Sequence, residues 1–140
     1  MAAPLSFQAF TFKGTGKLDR IITDLEISAS FDPANPPNPQ PTRLATKALW
    51  DTGASGSVIS TTLATTLGLT PVGTRQVHHG DGMSTRNEYI VNFYLPKTVA
   101  IVGILATEFP APSHNDFAVL IGMDVLYFGD FSITNVSGQT

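Results

Sequence analysis

A chain of 140 residues can bury one sizeable core but not two ordinary ones, so a single domain over 1–140 is expected. The formal net charge of -3, with no basic cluster, excludes the phosphate-neutralising surface a nucleic-acid binder needs. The lack of cysteine excludes a disulfide framework, a thiolate metal site and a cysteine nucleophile, and suits a reducing, cytoplasmic setting.

The N-terminal stretch MAAPLSFQAFTFKG lacks a basic region followed by a long apolar run, so it does not read as a signal peptide. No segment reaches the roughly 18 apolar residues of a membrane helix, which predicts a soluble protein, or the soluble domain of a larger one, without a membrane partner. Residues 6–12 and 20–31 carry apolar side chains in partial alternation and predict two half-buried strands, broken at Gly14-Thr15-Gly16. Residues 32–42, DPANPPNPQPT, hold five prolines that cannot continue a ladder, so they predict an exposed loop inside the domain.

Residues 48–60, ALWDTGASGSVIS, run an apolar strand straight into Asp51, a side chain that is almost never buried without a partner. Thr52, Gly53, Ala54, Ser55 and Gly56 follow, small residues that let the backbone turn tightly and a ligand come close. The stretch predicts a strand that delivers one carboxylate into a cleft. Strand alternation sends Trp50 to the opposite side, into the core. Val58-Ile59 predicts a short strand, and Ser60 caps a short helix through Leu67 with Gly68 as its stop.

Residues 72–79 and 84–95 flank HGDG, where Gly80 and Gly82 permit the positive φ of a hairpin tip. These glycines fit either a plain hairpin or a functional flap. Residues 98–107, TVAIVGILAT, predict a buried strand closed off by Pro110 and Pro112. Residues 117–135 predict a strand, a glycine, a short helical turn and a last strand. His78 and His79, adjacent on a strand, point to opposite faces, and His114 is remote in sequence, so no metal site is expected. GASGS lacks the closing glycine of a nucleophile elbow, and GTGKL lacks the upstream glycine and the hydroxyl residue of a phosphate loop.

Taken in order, three of these features resemble the retropepsin-type aspartic proteases, the half-sized relatives of pepsin. Leu49-Trp50-Asp51-Thr52-Gly53-Ala54-Ser55 resembles their catalytic loop. The glycine-tipped hairpin around 80–82 resembles the flap, and residues 119–126, VLIGMDVL, resemble the apolar-apolar-Gly-x-Asp/Asn segment. The resemblance implies an all-β acid-protease barrel with one flap hairpin and one or two short helices, completed as a homodimer, and no cofactor.

Peptide hydrolysis without a metal can use two carboxylates that share one proton, one drawing a proton from water and the other donating to the carbonyl oxygen. This chain has no second Asp-Thr-Gly, so the resemblance implies a twofold axis that brings two copies of Asp51 together over a water. It also implies that Thr52 hydrogen-bonds across to the partner and that Gly53 lies beside the substrate backbone. Ala54 and Ser55 then line the cleft, Gly80, Asp81, Gly82 and Met83 fold over an extended peptide, and Gly122 and Asp124 are structural. Retroviral members usually pair an arginine at the place of Met123 with an acidic residue at the place of Ser55. Both partners are missing here, which implies another way of bracing the dimer. The plainer readings are an Asp-Gly turn after a strand, or the same fold used to bind peptides or assemble with little turnover.

Overall fold

The computed structural model describes residues 7–110 and 116–140. Strand β1 (Ile22–Ala29) buries Leu25 and Ile27 and exposes Asp24 and Glu26, as alternation on a half-buried strand requires. It pairs antiparallel with β2 (Leu44–Trp50). Between them residues 32–40 are exposed, and the Asp32 carboxylate accepts from the Ala34 N–H at 2.9 Å, a local turn that needs no sheet.

The short β3 (Val58–Ser60) leads into helix α1 (Thr61–Thr66). Ser60 accepts the Leu63 N–H at 3.1 Å as the N-cap, and Gly68 leaves the helix at φ +62°, where a side chain would be strained. Strand β4 (Gly73–His79) and the 14-residue β5 (Gly82–Leu95) form a hairpin, followed by β6 (Val99–Phe109), β7 (Val119–Ile121) and α2 (Met123–Leu126).

The strands close on themselves. Their order is β1-β2-β7-β3-β6-β5, and β5 pairs back onto β1, which makes a six-stranded barrel with β4 attached outside. Closure leaves the ring without a free edge and gives its inner face to Leu25, Ile27, Ile59, Val91, Phe93 and Ile121. The second half of β5 is buried in this wall, while its first half leaves the barrel with β4. At the β5–β6 seam two residues, Val102 and Gly103, face one, Asn92. The fully buried Asn92 amide oxygen accepts the Gly103 N–H at 3.0 Å, and Gly103 takes φ +77°, so the bulge is satisfied and needs its glycine.

Two predicted strands are absent. Residues 7–12 join no ladder, because every edge of the ring is already paired; instead Phe10 packs on Trp50 with ring centroids 6.3 Å apart. Residues 131–135 are likewise irregular, and only an isolated bridge between Val136 and Gln139 follows. Strand β6 is half-buried where a buried strand was expected: Val102 and Leu105 face outward at 41% and 43% exposure. Pro112 and His114 lie outside the described residues.

Candidate active site

β2 ends at Trp50, whose pleat puts it on the same face as buried Ala48. Its indole N–H donates to Thr23 Oγ1 at 2.9 Å, and Phe131 stacks on its ring at 5.4 Å and 19°, so it is half-buried at the end of the barrel. The next residue, Asp51, is held by its backbone: its N–H donates to the Ile121 carbonyl at 2.9 Å, which makes β7 the fixed reference for the loop. The residue as a whole is half-buried. Oδ1 accepts the Gly53 N–H at 2.8 Å, so the loop itself orients the carboxylate. A Cβ on Gly53 would lie 3.2 Å from that same Oδ1, crowding the group the residue supports.

Thr52, Gly53 and Ser55 are exposed and Ala54 is half-buried. Among the described residues the Thr52 hydroxyl has no hydrogen-bond partner. The far side of the loop is fastened to the β7–α2 corner. Met123 N–H donates to the Ala54 carbonyl at 2.8 Å. Asp124 accepts from the Ser57 hydroxyl at 2.7 Å and from the Ser57 N–H at 3.0 Å. Ser57 Oγ in turn accepts the Gly122 N–H at 3.1 Å. Gly122 allows this approach because it has no side chain: a Cβ there would sit 2.7 Å from the Gly56 carbonyl carbon and oxygen and 2.9 Å from the Ala54 oxygen.

Asp51, Thr52, Gly53, Ala54 and Ser55 thus share one loop, braced by Gly122 and Asp124. Ser57, only 1% exposed, is the member that sequence reasoning missed; its signal was a hydroxyl in a run of small residues, and its partner lies 67 positions away. Gly80, Asp81, Gly82 and Met83 stand apart on the exposed hairpin tip, and no hydrogen bond joins them to the Asp51 loop among the described residues. His79 pairs with Gly82, so Gly80 and Asp81 form the turn, and of the two tip glycines it is Gly82 that takes a positive φ, +128°. His78 and His79 are both exposed on β4.

The hairpin is anchored where it leaves the barrel. Glu108 accepts from the Asn87 N–H at 3.1 Å and from the Tyr89 hydroxyl at 3.0 Å, and Arg75 reaches Glu88 at 2.6 Å. Burial, and then the hydrogen bond and negative charge of Glu108, raise the Tyr89 phenol above its ordinary 10.0. Among the described residues no group of three or more His, Asp or Glu side chains is placed to hold a metal, and no helix is long and apolar enough to cross a membrane.

Residues 42–127 match the gag-polyprotein putative aspartyl protease family. The chain belongs to that family. Its barrel, with one projecting hairpin and two short helices, is the retropepsin-like protease fold, and the residues that match this aspartyl protease family run from before β2 to just past α2. The solved structures similar to the chain include a retropepsin-like aspartic protease from Rickettsia conorii, at 16% identity and a TM-score of 0.48, covering 88% of this chain and 92% of that one. No curated protein matches it.

Proposed function

We propose that the protein is an aspartic endopeptidase that works as a homodimer, two copies of Asp51 activating one water against a peptide held in extended form. The observation that supports this most is the Asp51 loop: the carboxylate of a half-buried residue, oriented through one oxygen by the Gly53 N–H, is presented among small residues. One carboxylate cannot act as acid and base at once. A second copy related by a twofold axis supplies the other, and the single proton they share leaves one to take a proton from water and one to donate to the scissile carbonyl.

A cavity of about 490 Å³ lies between Arg43, Tyr94 and Lys97, away from Asp51; in this reading the cleft over Asp51 is enclosed only by the partner. In this reading Thr52 donates to the partner loop, and Gly53, Ala54 and Ser55 line the cleft. The tip from Gly80 to Met83 closes over the substrate, whose backbone it binds in strand form. Asp51→Asn is expected to leave the dimer intact and abolish cleavage of a diverse peptide library read by mass spectrometry. Equal cleavage by the two proteins would remove Asp51 from the chemistry.

A further inference from the structure

Helix α2 buries Val125 and Leu126, but the next two residues, Tyr127 and Phe128, stand 80% and 72% exposed. Single exposed apolar residues are ordinary, whereas adjacent aromatics followed by the part-exposed Phe131 make a ridge whose only charge is Asp130. The segment on either side of this ridge is tied to the Asp51 loop and to the strand that leads into it. Met123 N–H bonds the Ala54 carbonyl at one end, and Phe131 stacks on Trp50 at the other. Tyr127 and Phe128 therefore follow Met123 by a little more than one helical turn, roughly 6–8 Å along the axis. A standard interface takes about 800 Å² from each partner, a patch some 16 Å in radius. A twofold contact centred on Asp51 and of that size reaches as far as the ridge when both lie on the same side of the barrel.

We infer that Tyr127 and Phe128 are the clamp of the homodimer, packing against the second copy. The inference rests on the dimeric reading above and adds to it the physical nature of the contact. An ion pair at this position would weaken as salt screens it; an apolar clamp does not.

The experiment is sedimentation equilibrium of the full chain over a dilution series in about 0.1 M and about 1 M NaCl, with peptide cleavage followed over the same concentrations. Wild type is expected to associate at least as tightly in high salt. Tyr127→Ser with Phe128→Ser is expected to raise the dissociation constant about 100-fold or more, with cleavage lost on dilution and regained at high concentration. Unchanged circular dichroism would show that the double variant is folded. A double variant that associates like wild type, because another segment covers the ridge or other residues hold the dimer, overturns the clamp and leaves the dimer standing. Wild-type association that weakens ten-fold or more in high salt overturns the clamp without any variant. A monomer that cleaves at every concentration, or never associates, removes the dimeric reading and the clamp with it.

Discussion

Alanine at Gly122 tests whether the β7–α2 corner must touch the Asp51 loop as closely as it does. The added Cβ would stand 2.7 Å from two backbone atoms of Gly56 and 2.9 Å from the Ala54 oxygen, where carbon contacts normally settle at about 3.5–4.0 Å. Because backbone atoms cannot swing aside as a flexible side chain would, the corner and the loop must separate by close to 1 Å, at the upper end of the roughly 1–3 kcal/mol typical of overpacking. At about 3 °C per kcal/mol for a domain of this size, the thermal midpoint should fall by roughly 9 °C. Gly56→Ala is the matched control, since its Cβ would meet nothing within 4 Å. Thermal melts followed by circular dichroism compare the two, with cleavage expected to fall in Gly122→Ala alone. Midpoints within about 2 °C of each other would refute the steric argument.

Two further substitutions test other parts of the framework. Ser57→Ala removes a charge-assisted bond to Asp124 and leaves the buried Gly122 N–H without its acceptor, so denaturant unfolding should show a loss of about 2–3 kcal/mol; a loss under about 0.5 would mean that Asp124 is satisfied elsewhere. Tyr89 has its phenol raised in the folded protein, so the stability it contributes is fully present below the unfolded value of 10.0 and is lost as pH rises through the folded one. Melts of wild type should therefore fall more steeply above pH 10.0 than those of Tyr89→Phe, and parallel curves would contradict this.

The sequence made local features legible. Ser60 and Gly68 bracket α1 because capping is decided within a few residues, and the hairpin from Gly73 to Leu95 follows from alternation around glycines. Asp51 stands out because its apolar approach and small followers conflict with an ordinary strand. Alternation in 7–12 misled, since a strand needs a partner and a closed ring offers none. The Ser57–Asp124 bond and the Phe131–Trp50 stack were illegible for the complementary reason: each joins residues far apart in the chain, and only the barrel decides that they meet.

β5 belongs to two bodies at once. Its Val91–Leu95 end is locked into the barrel wall, its Gly82–Asn87 end is paired only with β4, and Glu108 grips it at the junction. Such a strand is a lever with its fulcrum at Asn87–Tyr89: the tip can swing or unzip while the anchored end, and the carboxylate platform beyond it, keep still.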